Sequence, residues 1–168
     1  MKQNLTLNIQ NSEYFLFCEK FINLLMIDGK KLKAYKLFFQ TLEYLKRKIQ
    51  SELEKKSNQS YHQLTVLECV FQAIENVKPN VEVKKVKVAG NRYLVPAILS
   101  KKKQESYAIN WILEAAKKRK KTSKLSFSKI LAEEIFDAFK KQGFAVQKRD
   151  ELHRLAEANR AYIRYRWW

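Results

Sequence analysis

Residues 81–99 read VEVKKVKVAGNRYLVPAIL, and this stretch decides the fold because its apolar pattern differs from that of the rest of the chain. On both sides of it, apolar residues recur at the three- and four-residue spacing of α-helices. Residues 81–83 and 86–88 instead alternate with the two-residue period of a strand. We predict a β-hairpin with its turn at residues 89–91 and a bulge at residues 84–85, where the alternation slips.

The predicted hairpin, residues 81–99, is basic. A two-stranded hairpin alone is only marginally stable in water, so we interpret this one as an arm that rests on a partner, with an ordinary surface hairpin as the alternative. Pro96 is predicted to lie on an exposed edge, since it has no N–H to donate. The four cations of the hairpin are the candidate contacts to that partner: Lys84, Lys85, Lys87 and Arg92.

Helical patterns before and after the hairpin predict three helices on each side, and the low glycine and proline content favours long elements. A break between the first two helices is predicted at Asp28-Gly29. Ser126 is a predicted N-cap of the fifth helix and Gly143 its C-cap, while Asp150 is a predicted N-cap of the sixth. The fifth helix has two apolar faces, which predicts two packing neighbours.

The fold class predicted from these patterns is mainly α. Residues 1–168 form a single helical domain of about six helices, with a protruding β-hairpin arm between the third and fourth helices. Residues 1–12 are predicted to be an N-terminal extension.

Residues 153–168, HRLAEANRAYIRYRWW, combine cations with aromatic rings. Arginine side chains match phosphate oxygens, and flat rings stack on unpaired bases, so the stretch indicates RNA binding. Four polar side chains at helical spacing predict one face of a last helix: His153, Glu157, Arg160 and Arg164. Tyr162 is predicted to be a core residue. Trp167 and Trp168 either stack on RNA or pin the tail, and both interpretations stay open.

The charge of the chain indicates the same class of partner. Its 168 residues include 34 Lys and Arg against 17 Asp and Glu, a formal net charge of +17 at pH 7. More than half of the basic side chains lie in residues 101–168. Such self-repulsion is typical of proteins that a polyanion neutralises. A soluble basic protein without a polyanionic partner is the alternative.

Catalysis, metal binding and a membrane span find no support in the sequence. The phosphate-loop, dinucleotide-binding and HExxH motifs do not occur, so we predict no enzyme, no catalytic residue and no cofactor. Cys18 and Cys69 are far apart, which predicts reduced core thiols rather than a zinc site. No apolar run reaches the roughly 18 residues of a membrane helix, and no secretory or transit pattern is evident.

Six blocks of the chain, taken in order, resemble protein S-seven of the small ribosomal subunit. The resemblance extends from about Lys20 to Trp168. The blocks are residues 21–26 (FINLLM) with 28–31 (DGKK) and Ala34, 73–79 (AIENVKP) with 81–83, 88–90 (VAG) with Tyr93 and 95–96, 108–109, 111–116 (WILEAA), and 148–149 with 153–160 (HRLAEANR) and the aromatic end.

This resemblance implies a helical domain with a hairpin arm that binds the 3′ major domain of small-subunit rRNA and nucleates the head. It also implies an arm near the mRNA exit channel and the E-site tRNA, beside protein S-eleven. The rRNA contacts that it implies are Lys30, Lys31, Lys33, Lys84, Lys85, Lys87, Arg92, Lys117, Lys118, Arg119, Lys148, Arg149, Arg154 and Arg160. Arg164 and Trp167 complete the set of candidates from the C-terminal stretch.

Details of the sequence look most like mitochondrial members of the family. They are the Val-Ala-Gly turn, the WILEAA block and the double-tryptophan end. Bacterial members usually have Gly-Gly where Ala89-Gly90 stands. The region of residues 46–61 is longer and richer in lysine than in a typical bacterial member. A composition rich in Lys, Asn, Ile, Tyr and Phe suggests an AT-rich gene, so we expect an organelle-encoded protein of the mitochondrial matrix. A plastid or the bacterial cytoplasm is the alternative.

Two other functions are weighed against the ribosomal one. The first is a basic protein–protein interaction module that binds acidic partners without rRNA. The second is a DNA-binding regulator, which needs a helix-turn-helix spacing that does not stand out here.

Overall fold

The computed structural model describes residues 12–55 and 65–168, and there it confirms three helices, a hairpin and three further helices. The first helices are α1 (Ser12–Leu25), α2 (Lys31–Lys55) and α3 (Val66–Val77). The hairpin consists of β1 (Val81–Val88) and β2 (Asn91–Ile98). The later helices are α4 (Lys101–Thr122), α5 (Phe127–Phe139) and α6 (Phe144–Ala158). A C-terminal 3₁₀ helix (Arg160–Tyr165) follows them.

The predicted extension, residues 1–12, lies almost entirely outside the described residues, although Ser12 already begins α1. Of the lysine-rich region, residues 46–61, the part beyond α2 also lies outside them. The predicted break between the first two helices is confirmed, since Asp28 and Gly29 both have positive φ angles of 53° and 69°. This turn lets α2 pack on α1, where the Phe21 and Phe38 rings lie 5.1 Å apart.

Helix α5 lies at the centre of the body and packs against α2, α3 and α4. Its side chains Ile130, Leu131 and Ile135 are fully buried. Because residues 130 and 131 point in directions about 100° apart, α5 is covered on more than one side. The prediction that α5 is apolar on more than one side is therefore confirmed, but among the described elements the helix has three packing neighbours, not the predicted two. Each such side chain contributes roughly 1.5–3 kcal/mol through its burial.

Helix α3 is fixed at both ends. At its start, Thr65 Oγ1 accepts the Glu68 N–H and Glu68 Oε2 accepts the Thr65 N–H, at 3.3 and 2.8 Å. Near its end, the buried Asn76 amide donates to the carbonyl oxygens of Ala138 and Phe139 at 3.2 and 3.0 Å. These bonds tie the end of α3 to the end of α5, directly before the chain enters the hairpin.

Two of the predicted helix caps are wrong. Ser126 does occupy the N-cap position of α5, without a side-chain capping bond. Gly143 is not the C-cap of α5, because the helix already ends at Phe139 and Lys141 adopts the left-handed turn with φ 58°. Gly143, with φ 94°, instead occupies the N-cap position of α6. Asp150 therefore lies within α6, which begins earlier because Ala145 and Val146 are buried.

The predicted single polar face on the last helix is also wrong in part. Helix α6 ends at Ala158, and the side chain of Asn159 donates to the Leu155 carbonyl oxygen at 2.8 Å. Arg160 and Arg164 consequently lie in the C-terminal 3₁₀ helix. A 3₁₀ helix has about 3.0 residues per turn, so these arginines do not continue the face that carries His153.

Candidate nucleic-acid interface

The hairpin pairs without interruption from Val81 opposite Ile98 to Val88 opposite Asn91. The predicted bulge at residues 84–85 is therefore wrong. An unbroken ladder places Lys84 on the face that holds mainly apolar residues. That position is tolerated because its ammonium group lies 4.8 Å from the centre of the Trp168 ring and 3.2 Å from Glu82 Oε1.

The turn of the arm has two residues, Ala89 and Gly90, with φ angles of 49° and 87°. Positive φ at both positions is typical of the type I′ turn, whose twist matches that of the paired strands. The turn was predicted at residues 89–91, and Asn91 instead begins β2. Ala89 therefore adopts a left-handed conformation that glycine adopts without steric cost.

One face of the arm carries three exposed cations, Lys85, Lys87 and Arg92, which we call the basic face. Lys85 and Lys87 are two residues apart on β1, and Lys87 is the direct cross-strand partner of Arg92. In the part of the chain that the structure describes, none of the three forms an ion pair. Like charges directly opposite each other destabilise a sheet. The basic face is thus suited to an anion such as a phosphate group.

The other face of the arm carries Tyr93 and the buried Val95. The Tyr93 ring lies 5.0 Å from the Tyr162 ring and 5.0 Å from the Tyr165 ring, both in the C-terminal 3₁₀ helix. Tyr162 was predicted to be a core residue, but it is only half-buried and packs against the arm. The C-terminal segment therefore supports the arm from one side.

Helix α6 holds the base of the arm. The Arg149 guanidinium donates to the Asn76 carbonyl oxygen and to Asp150. His153 Nε2 accepts the Asn80 N–H at 3.3 Å, just before β1 begins. These bonds give Arg149 and His153 a structural part in positioning the arm. Pro96 was predicted to lie on an exposed edge. It does lie in an edge strand, because the sheet has two strands, but it is buried near this base.

The end of the chain lies beside the outer edge of β1. The Trp168 ring packs over Lys84, and Trp167 meets Trp168 edge to face with 5.7 Å between ring centres. Trp168 is 38% exposed, whereas Trp167 is 81% exposed. Of the two interpretations left open, pinning the tail fits Trp168, whose ring contacts the arm.

Several predicted RNA contacts are already engaged within the protein. Arg119 lies 3.1, 3.0 and 3.3 Å from the carboxylates of Glu133, Glu134 and Asp137. Its hydrogen bond to Glu134 raises the pKa of Arg119 despite partial burial. Because three carboxylates share this guanidinium, its charge is compensated and it joins α4 to α5.

Lys148 and Lys118 share Glu114. Lys148 donates to that carboxylate, and this hydrogen bond lowers the pKa of Glu114. Lys118 lies 4.0 Å from Glu114 and 3.9 Å from the centre of the Phe144 ring. Both lysines thus connect α4 with α6 while keeping exposed surface.

The other candidates divide into partnered and unpartnered cations. Lys30 lies 3.5 Å from Asp28, Lys31 lies 3.2 Å from Glu19, and Arg164 lies 5.1 Å from the Tyr165 ring centre. Outside the arm, four exposed candidates form no ion pair with the residues that the structure describes: Lys33, Lys117, Arg154 and Arg160. Unpartnered exposed cations are the ones free to contact phosphate.

Sequence reasoning missed two groups beside the arm. Lys101, Lys102 and Lys103 are exposed in the first turn of α4, directly after β2. Cations are unfavourable at the positive end of a helix dipole, and this misfit was a signal that the sequence offered. The second is a set of contacts rather than a residue type: Tyr93 packs on Tyr162 and Tyr165, and Trp168 packs over Lys84, and neither pairing has a local signal in the sequence.

Other kinds of site find little support. Within residues 12–55 and 65–168, no group of His, Cys, Asp and Glu is arranged to hold a metal ion. No helix in the same ranges is long and apolar enough to cross a membrane. Cys69 is a free, buried thiol as predicted, and burial raises its pKa to about 12. Cys18 is free and half-buried, and burial raises its pKa as well.

A helical body with a basic arm and a set of uncompensated surface cations is typical of a small RNA-binding protein. The family model described as "Ribosomal protein S7p/S5e" matches residues 2–160. The chain therefore belongs to the S7p/S5e family of ribosomal proteins. It is a structural constituent of the small ribosomal subunit and not an enzyme, and it associates with ribosomal RNA and other ribosomal proteins.

Similar proteins support the same family. "Small ribosomal subunit protein uS7m" of Prototheca wickerhamii is 43% identical, with 89% of this chain and 88% of that protein covered. The protein of the same name from Arabidopsis thaliana is 37% identical over 94% of this chain and 97% of its own length. "Small ribosomal subunit protein uS7" of Wigglesworthia glossinidia brevipalpis is 42% identical, with 88% and 85% covered.

Proposed function

We propose that this protein binds the 3′ major domain of small-subunit rRNA and helps nucleate the head of the subunit. The observation that carries the proposal is the basic face, where Lys87 stands opposite Arg92 without a counter-ion among the described residues. Such a pair is stabilised when a phosphate lies between the two side chains. The membership of the S-seven family supports rRNA as the source of that phosphate.

The contact surface that we propose continues from the arm onto the body. Its free cations are Lys33, Lys117, Arg154 and Arg160, and Lys30, Lys31, Lys84, Lys118 and Arg164 extend it. Arg119, Lys148 and Arg149 contribute mainly by holding helices together, because each is bonded to groups of the protein itself. In the assembled subunit, the arm would lie near the mRNA exit channel and the E-site tRNA, beside the S-eleven protein.

We further propose that the protein works in the mitochondrial ribosome and is encoded by the organelle. Relatives from Prototheca wickerhamii, Marchantia polymorpha and Arabidopsis thaliana carry the mitochondrial name uS7m. Bacterial uS7 proteins are similar as well, so the compartment needs a direct test. That test is whether the chain stays with mitochondrial small subunits after a high-salt wash.

RNA binding is tested with the purified full chain and a transcript of the 3′ major domain. The logarithm of affinity should fall by about 0.7–0.9 per logarithm of salt for each phosphate neutralised. Changing Lys84, Lys85 and Lys87 together to Ala should weaken binding and reduce this slope while the circular dichroism spectrum stays the same. A flat salt response of the intact protein, or unchanged subunit assembly with the triple variant, would contradict the proposal.

A further inference from the structure

A cleft lies between the outer edge of β1 and the end of the chain. It encloses about 420 Å³ and is lined by Lys84, Lys85, Val86, Lys87, Trp167 and Trp168. We call it the β1 cleft. Its volume lies within the roughly 300–1,000 Å³ of small-ligand sites. Its lining combines three cations with two indole rings, and among the described residues the outer edge of β1 pairs with no further strand.

From this lining we infer that the β1 cleft binds one unpaired nucleotide of a single-stranded RNA segment. The base stacks on Trp167, whose ring is 81% exposed, while Trp168 stays packed over Lys84. Lys85 and Lys87 contact the adjacent phosphates, since no described carboxylate pairs with them. The inference rests on the proposed RNA binding, and it gives that function a place where sequence-tolerant stacking occurs.

The two tryptophans have different parts in this site. Trp168 is held by two contacts, the Lys84 ammonium at 4.8 Å and the Trp167 ring at 5.7 Å. Its position is therefore set before a ligand arrives. Trp167 meets that ring edge to face, so at least one face of Trp167 is open. Aromatic platforms of this kind, flanked by cations, are typical of single-strand binding sites.

A protein strand added to the free edge of β1 is the competing occupant. Strand addition relies on main-chain hydrogen bonds and on pockets for alternate side chains. The β1 cleft instead presents ammonium groups on both faces of β1, and the exposed Trp167 lines the same cleft. Charge and aromatic surface therefore favour a nucleotide, and the peptide becomes an outcome of the test.

The experiment uses the full-length protein and a labelled five-residue oligouridylate at moderate salt. Fluorescence anisotropy gives the affinity, and quenching of tryptophan emission reports stacking. Trp167→Ala should lower the affinity by about tenfold or more, because one base stack is lost. Trp167→Tyr keeps an aromatic platform and should restore most of it. Phe15→Ala removes a ring that is 51% exposed on α1 and serves as the matched control, with no effect expected.

Two further probes separate the possible failures. Binding of the 3′ major-domain transcript by Trp167→Ala should stay within threefold of the unchanged protein, since most phosphate contacts remain. Oligouridylate binding that is the same with Ala and Trp at position 167 would overturn the inference while leaving rRNA binding intact. So would Trp167-dependent binding of an acidic extended peptide in place of the oligonucleotide. Loss of transcript binding by the unchanged protein would instead contradict the proposed function alone.

Discussion

Lys84 and Trp168 are in contact although they are far apart in the sequence. The Lys84 ammonium is 4.8 Å from the centre of the Trp168 ring, and Glu82 Oε1 lies 3.2 Å from the same ammonium. Its neighbour Lys85 points to the opposite face of the arm, because successive strand residues alternate. Lys84 thus holds the end of the chain while its side chain stays partly exposed, whereas Lys85 has no partner among the described residues.

Lys84→Ala should release the end of the chain, with little effect on the rest of the fold. An exposed cation–π contact contributes about 0.5–1 kcal/mol. We expect acrylamide quenching of tryptophan emission to increase and the free energy of global unfolding to change by no more than that amount. Lys85→Ala is the matched control: it should leave quenching unchanged and reduce the salt slope of rRNA binding by about 0.7–0.9. Equal quenching in the two variants would contradict this division.

Ala89→Gly should stabilise the arm. The φ angle of 49° places Ala89 in the left-handed region, which costs a residue with a Cβ roughly 1–2 kcal/mol. Glycine loses more chain entropy on folding, so we expect a net gain of about 0.5–1 kcal/mol. Hydrogen exchange of the arm amides measures this gain, because the arm can open without global unfolding. Faster exchange in Ala89→Gly would show that the turn does not limit the arm.

Arg149→Ala should destabilise the protein, whereas Arg154→Ala should not. The Arg149 side chain is mostly buried and donates to the Asn76 carbonyl oxygen and to Asp150. Removing it leaves that carbonyl without its partner, which costs about 1–3 kcal/mol. Arg154 is exposed on the same helix and forms no ion pair in the described part of the chain. Urea unfolding measures the difference.

The same pair should behave in the opposite way toward RNA. Arg154→Ala should weaken rRNA binding at unchanged stability, and Arg149→Ala should weaken it only as far as the arm is displaced. A lower unfolding free energy in Arg154→Ala, with Arg149→Ala unaffected, would reverse the assignment of the two arginines.

Glu105 should make stability depend on pH in the acidic range. Burial of this carboxyl opposes its ionisation, but hydrogen bonds and ion pairs with Lys20 and Lys78 outweigh it and lower the pKa from 4.5. A carboxyl whose pKa is lower in the folded state binds fewer protons there than in the unfolded chain. Its contribution is therefore complete above pH 4.5 and is lost as the pH falls through the folded-state pKa.

Urea unfolding between pH 3 and 6 tests this. The free energy of unfolding of Glu105→Gln should fall less steeply with acid than that of the unchanged protein, and the two should converge at the lowest pH. Glu151→Gln, on the exposed surface of α6, is the matched control. Parallel pH curves for the unchanged protein and Glu105→Gln would refute the role of this carboxyl.

The succession of helices and strands follows from patterns local to the chain. The alternation in residues 81–99 and the two apolar faces of α5 each depend on neighbours in sequence, so they were predictable. The helix caps were harder to predict, because either Lys141 or Gly143 could form the left-handed turn that ends α5. Burial of Ala145 and Val146 starts α6 directly after Gly143, so Lys141 forms that turn. The bulge at Lys84 was predicted wrongly for a related reason. In the sequence, a lysine on the mainly apolar face of the strand reads as a shift in the alternation. In the fold, the Trp168 ring packs over this lysine.

The interface was predictable as a set of charges but not as a set of free charges. Arg119 and Arg154 look alike in sequence, yet three carboxylates from α5 surround Arg119 and none of the described ones pairs with Arg154. The difference arises from helix packing, which brings distant side chains together. Lys101 to Lys103 were overlooked because a lysine run beginning a helix was not weighed against its dipole.

The packing of Tyr93 on Tyr162 and Tyr165 has a consequence for the order of folding. During synthesis, both strands of the arm are made well before these two tyrosines are added. The newly made hairpin therefore lacks the support of Tyr162 and Tyr165 at first, although its basic face is already complete. We therefore expect a nascent chain that still lacks residues 160–168 to carry the basic face on an arm whose orientation is held less firmly. RNA binding before the arm is fixed would let the arm sample many orientations on the RNA. The C-terminal tyrosines would then hold it in one of them.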